Sequence, residues 1–198
     1  MPRLTEHRQL ETRNRILDAA LELFGVHGFD AVTMDQVAVA AEVSRRTVYR
    51  YYPNKDDLIF EFPRRWYEMF DSFVETRQPN QSLRELVRLA YTDIARSIDD
   101  DADRVLAAFV VVSNTESLRG RHGRTDDLNV ERLVELMLSE PGASPDQVLE
   151  YIVLARCMIS ANNAALTTWA FNPGNVDVVA ELERAHNMLD VLWPIDFT

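Results

Sequence analysis

Apolar residues recur along this chain at intervals of three and four, and no segment alternates convincingly as a strand would, so the pattern predicts helices from end to end. Ile16, Ala20, Leu23 and Phe24 form one stripe that stops near His27-Gly28, with glycine in the usual place for ending a helix. Thr33 followed three residues on by Gln36 is a capping box, and Val37, Ala38 and Ala41 give the short helix it starts an apolar face. After a turn through Glu42 and Val43, Ser44 is placed to cap a third helix over Arg45 to Tyr51, with Val48 and Tyr52 one turn apart and Pro53 as the stop. Asn54 opens a fourth helix whose Ile59, Phe62, Trp66, Met69, Phe70 and Phe73 share a face. Pro63 lies inside that stretch, where it removes a hydrogen bond and crowds the preceding turn, so the helix is expected to kink or divide near residues 59 to 63. That is the expected seam between two domains.

Gln78-Pro79-Asn80-Gln81 reads as a linker, after which Ser82 and Glu85 cap a fifth helix with Leu86, Ala90, Ile94 and Ile98 as its stripe. A sixth helix is expected over about 102 to 117, then a mobile basic loop, Arg119-Gly120-Arg121-His122-Gly123-Arg124. The seventh runs from Asp126 to the Pro141-Gly142 stop, and Ser144 with Gln147 opens a long eighth that ends before Asn172-Pro173. A ninth reaches Trp193-Pro194. Helix eight is apolar on two sides, with Val148, Ile152, Ala155, Ile159 and Leu166 on one and Tyr151, Leu154, Met158, Ala161, Ala165 and Trp169 on the other. Both sides must be covered. One of them needs a second protein surface, so a homodimer through helices eight and nine is expected, with Val178, Leu182, Ala185, Leu189 and Leu192 of helix nine alongside. The expected fold is all-α with about nine helices: a three-helix helix-turn-helix domain over residues 1–58 and a helical dimerisation domain over 59–198.

With 198 residues, 46% of them hydrophobic, the chain has material for a real core. Its net charge of −11 argues against a nucleic-acid partner until the distribution is read: residues 1–60 hold 8 basic and 9 acidic groups, the remainder 13 and 23. Within the first part Arg3, Arg8, Arg13 and Arg15 lie in the leading arm and Arg45, Arg46 and Arg50 on the third helix, whose span contains no acid. Local field outweighs total charge when screening acts over about 8 Å. The single Cys157 excludes an internal disulfide and a multi-cysteine zinc site, and its apolar setting reads as core. The run Asp99, Asp100, Asp101, Asp103 reads as a solvated helix start in preference to a cation site. Four scattered histidines, no glycine-rich phosphate loop, no signal segment and no 18-residue apolar run point to a cytoplasmic, non-enzymatic protein without cofactor or membrane span.

The stretch from Thr33 to Lys55 is itself a DNA-reading helix-turn-helix: one side of the third helix packs, while the other presents guanidinium, hydroxyl and phenol groups suited to guanine edges and phosphates. Arg15-Ile16-Leu17, Ala19-Ala20, Leu23-Phe24, Gly28-Phe29, Thr33, Val37-Ala38, Ala41, Val43-Ser44, Thr47-Val48-Tyr49, Tyr51-Tyr52, Lys55 and Leu58 together resemble the N-terminal domain of the TetR family of bacterial transcriptional regulators, over roughly residues 10 to 60. Two positions depart from that pattern: Glu42 stands where glycine is usual in the turn, and Arg46 where a small residue is common. The resemblance implies that Arg45, Arg46 and Arg50 approach base edges, that Thr33, Tyr49, Tyr51 and Lys55 touch phosphates, and that Ser44 and Thr47 belong to the same surface. It also implies a dimer on a palindromic operator and a second domain whose small effector alters DNA affinity, acting as a repressor.

An adaptable, mostly apolar pocket could be built from Trp66, Phe70, Phe73, Tyr91, Phe109, Met137, Met158 and Trp169, with Asn162 and Asn163 as polar anchors, although a plain aromatic core would use most of the same residues. The arginines of 119–124 admit an anionic effector such as an acyl-CoA. The fourth helix, reaching from Asn54-Lys55 to these aromatics, is the expected link between effector and DNA, with Pro63 as its bending point. On sequence alone two alternatives stay open: an activator, and a helical interaction module whose helix-turn-helix no longer binds DNA.

Overall fold

The computed structural model describes residues 2–192, with side chains described from His7 to Leu189. Every regular element among them is helical: α1 (Pro2–His27), α2 (Met34–Ala40), α3 (Arg45–Tyr51), α4 (Lys55–Ile59), α5 (Glu61–Glu75), α6 (Leu83–Asp100), α7 (Ala102–Asn114), α8 (Glu116–Leu138), a 3₁₀ turn (Pro145–Gln147), α9 (Val148–Phe171) and α10 (Val178–Leu192). The expected stop at Trp193-Pro194, the side chain of Leu192 and that of Arg3 lie outside the described residues. The chain forms two compact units, one running to Arg65 and taking in Ala102–Arg119, the other comprising Trp66–Asp101 and the chain from Gly120.

Local chemistry accounts for the helix starts of the first unit. Thr33 accepts from the Gln36 backbone at 3.3 Å while the Gln36 side chain accepts from the Thr33 backbone at 2.8 Å, closing the expected capping box. Ser44 Oγ accepts from Thr47 N at 3.1 Å, and Asp57 accepts from Asn54 N at 2.8 Å. The expected fourth helix divides at Phe60 into α4 and α5. Pro63 becomes the third residue of α5, in the first turn, where a missing N–H costs no helical bond.

The domain boundary read at residue 58 falls inside this first unit, because Leu58, Ile59 and Phe62 are all buried. The helix expected over 102 to 117 belongs here too. As α7 it packs on α1 and α4, and Arg104 grips Asp18 with Nε and Nη2 at 2.5 and 2.9 Å. The chain passes from one unit to the other three times, within α5 after Arg65, between α6 and α7 after Asp101, and within α8 after Arg119, so the link assigned to the fourth helix alone is one of three.

In the second unit α10 packs on α9 and α6, and Leu86, Val87 and Ala90 of α6 meet Val130, Leu133 and Met137 of α8 and Leu154 and Ala155 of α9 in one core. Arg77 holds the linker, donating to the Gln81 carbonyl and to Glu140 beyond the end of α8. The basic segment Arg119–Arg124, expected as a mobile loop, forms the opening turns of α8. Gly120 and Gly123 weaken a helix by about 1 kcal/mol each. Thr125 returns a bond to the Arg121 carbonyl at 3.0 Å, and a buried stripe through Leu118, Val130, Leu133 and Met137 holds the helix on both sides of the glycines. Packing outweighs propensity here.

Both apolar stripes of the predicted helix eight, now α9, turn toward their own unit: their residues are buried or half-buried. The uncovered side is a third one, carrying Leu149, Val153, Cys157, Ala164 and Phe171. Cys157 is therefore exposed and no part of the core. Neighbours on one helix share an apolar environment in sequence, but rotation about its axis decides which of them the next helix covers.

Candidate nucleic-acid interface and effector site

The turn between α2 and α3 is built around Glu42, which adopts φ 52°, the left-handed conformation that glycine usually supplies. Val43 N bonds Ala38 O at 3.0 Å and Glu42 N bonds Val39 O at 3.1 Å, the paired capping bonds of a Schellman turn. The turn geometry is thus retained despite the side chain. Only Val48 of α3 is buried, with Tyr52 behind it, so the other residues of the short helix remain available to a partner.

Arg45, Arg46, Tyr49 and Arg50 are exposed, and Thr47 and Tyr51 half-buried. Arg45 lies over the Tyr49 ring at 5.5 Å and forms an ion pair with Asp35 of α2, Nε to Oδ1 3.0 Å, while Arg50 lies over Tyr51 at 5.0 Å. Stacking on a phenol restricts a guanidinium without consuming its N–H groups. Thr33 and Ser44 use their hydroxyls locally, Thr33 with Gln36 and Ser44 with Thr47 at 2.8 Å. Lys55 is turned inward. Its ammonium donates to the carbonyls of Phe29, Asp30 and Val32 at 2.7, 3.4 and 3.0 Å and rests 4.3 Å from the Phe29 ring centroid. An ammonium has three N–H groups, so this geometry gives Lys55 a part in pinning the α1–α2 connection.

Behind this surface lies a charged cluster absent from the sequence reading. Glu61 is 3% exposed and receives Arg13 through Nε and Nη2 at 2.9 and 2.6 Å, with Arg64 Nη2 at 3.1 Å. The guanidinium of Arg13 also covers the Tyr52 ring at 5.3 Å. Burial foremost, then the negative Glu61, pushes the Tyr52 phenol well above its ordinary pKa, against the opposing Arg13. Its hydroxyl is buried, with the Arg13 guanidinium as its polar neighbour.

In the second unit Phe70 and Met137 are buried, while Trp66, Phe73, Tyr91 and Met158 pack half-buried on the same core. Trp169 is buried on α9 outside that cluster. Phe109, expected among these residues, is on α7 and belongs to the first unit. Asn162 and Asn163 do enter a polar group, but with partners from four other helices: Tyr67 of α5, Tyr91 of α6, Asp126 and Asn129 of α8, and His186 of α10. Asn129 donates to the Tyr67 hydroxyl at 2.9 Å, Asn163 to Asp126 at 2.9 Å, and Asn162 Oδ1 meets His186 Nε2 at 2.9 Å. His186 stands edge-on to Tyr91, which also neighbours Phe70. Burial, then Tyr67, drives the Tyr91 phenol pKa upward, with Asn162 opposing and Asp126 adding to the rise.

Tyr67, Asp126, Asn129 and His186 were missed in sequence. Only His186 carried a usable signal, since it continues the spacing of Val178 and Leu182, where an apolar residue is expected. Among the described residues no three metal-ligating side chains converge, and no helix is long and apolar enough to cross a membrane.

A helix-turn-helix with an arginine-bearing second helix, joined to a separate all-helical unit, defines a class of DNA-binding regulators. The model of bacterial regulatory proteins of the tetR family matches residues 16–62. The uncharacterized HTH-type transcriptional regulator YdeS of Bacillus subtilis (strain 168) is 30% identical over 146 residues, 70% of this chain and 68% of that protein. The HTH-type transcriptional repressor KstR of Rhodococcus jostii (strain RHA1) is 37% identical over 98 residues, half of this chain but 46% of that protein's length. The fold extends further: SmeT in its complex with triclosan superposes with a TM-score of 0.65 at 18% identity, over 94% of this chain and 93% of that one. The chain belongs to the TetR family of bacterial transcriptional regulators.

Proposed function

We infer that this is a cytoplasmic, dimeric repressor that leaves a palindromic operator when a small effector binds its second unit. The observation that carries the reading is α3 itself, a Ser44-capped helix that buries Val48 and leaves Arg45, Arg46 and Arg50 outward. On that reading the three arginines approach base edges, while Thr33, Tyr49 and Tyr51 lie along phosphates. The uncovered side of α9, with Leu149 and Val153 at 69% and 48% exposure, joins Met188 of α10 as the dimer face.

Effector binding is supported by five helices converging polar groups onto an apolar core, an arrangement suited to fixing the orientation of a mostly apolar molecule. Asp126, bonded to Asn163 at 2.9 Å, places a carboxylate in this polar group, which suits a neutral effector better than an anion. The complex of SmeT with triclosan offers a precedent in a neighbouring fold.

The test is enrichment from a random duplex pool, followed by binding to the selected duplex. The chain is expected to enrich a two-fold symmetric sequence, and replacement of Arg45, Arg46 and Arg50 together by alanine should abolish preference while circular dichroism stays unchanged. Enrichment of no sequence by the native chain refutes the reading.

A further inference from the structure

Asp35 is the second residue of α2, a first-turn position that favours an acid, yet it stands beside a surface meant for phosphates. It is 56% exposed, so its ion pair with Arg45 adds little to stability. What it does alter is the geometry of the guanidinium. Nε of Arg45 lies 3.0 Å from Asp35 Oδ1, and the ring of Tyr49, one turn along α3, lies 5.5 Å away. A guanidinium can present two parallel N–H pairs to a guanine edge, either Nε with one Nη or the two Nη groups together. With the Nε edge against the carboxylate, the Nη pair is the one left to a base, and the guanidinium is placed by a carboxylate on one element and a phenol on another. The same carboxylate repels phosphates whatever the base sequence.

We propose that Asp35 is a specificity-determining residue, orienting Arg45 for bidentate contact with a guanine while weakening sequence-independent binding. The inference rests on the operator-reading function proposed above. Asp35 acts through Arg45 and touches no base itself.

The experiment uses the full chain, Asp35→Ala, Arg45→Ala and the double variant. Each is carried through the same random-pool enrichment, then titrated with the duplex selected by the native chain, with single-base variants of that duplex, and with an unrelated duplex over a range of salt. Asp35→Ala should lose about 5- to 20-fold of discrimination at one guanine position and bind the unrelated duplex severalfold more tightly. Arg45→Ala should lose discrimination at that same position, and adding Asp35→Ala to it should remove none further. A structural role for Asp35 would instead weaken all duplexes and persist in the Arg45→Ala background. Unaltered preference in Asp35→Ala, or an equal further loss in the double variant, overturns the proposal while leaving operator reading intact. If the native chain enriches nothing, operator reading fails and the role of Asp35 falls with it.

Discussion

Glu42 and Tyr52 show how single residues depart from what their positions would prefer. A left-handed residue with a Cβ costs about 1–2 kcal/mol, and glycine recovers this less about 0.5–1 kcal/mol for its greater freedom when unfolded. Glu42→Gly should therefore raise the unfolding free energy by about 0.5–1 kcal/mol, read as a higher urea midpoint at unchanged slope. Tyr52 holds its proton more tightly when folded. Above about pH 10 the unfolded chain releases that proton while the native chain keeps it, so the unfolded state binds fewer protons and stability falls as pH rises, by about 1.4 kcal/mol per unit for this group. Below that pH its contribution is constant. Tyr52→Phe should lessen the alkaline loss in denaturant titrations between pH 9 and 11 and change stability little at pH 7, because Arg13 keeps its bonds to Glu61 when the hydroxyl is removed.

At the scale of elements, α8 is the instructive case. Gly120 and Gly123 invite a break, yet the helix continues through them. A Cβ at Gly123 would meet nothing within 4 Å, and one at Gly120 only the tip of Arg124 at 4.0 Å. Neither glycine is required by packing. Gly123→Ala should accordingly stabilise the helix by about 1 kcal/mol, a rise of about 2–4 °C in Tm by calorimetry. A fall in Tm would mean that the glycine serves a second conformation of this segment.

For the whole molecule, the turn of α9 decides where a second copy could bind. Ile159, on one of the two apolar sides read from the sequence, is buried in its own unit, whereas Val153 is half exposed on the uncovered side. Val153→Glu should give a folded monomer by sedimentation, with operator affinity reduced because two half-sites are no longer engaged by one particle. Ile159→Glu should lower Tm sharply, since it buries a charge. A Val153→Glu protein that sediments as a dimer would move the interface elsewhere.

Helix starts, the divided fourth helix and the basic outer side of α3 were legible in the sequence because each depends on residues within about one turn: Thr33 on Gln36, Ser44 on Thr47, Asn54 on Asp57, Pro63 on its own ring. Other features required the helices to be brought together. Arg13 and Glu61 are 48 residues apart, and Asn162 and His186 are 24 apart on different helices. Lys55 reads as a surface cation until the connection after α1 folds over its ammonium. The rotation of α9 that exposes Cys157 and covers Ile159 was likewise invisible, because a helix apolar on several sides satisfies local periodicity in every rotation, and only the volumes of its neighbours select one.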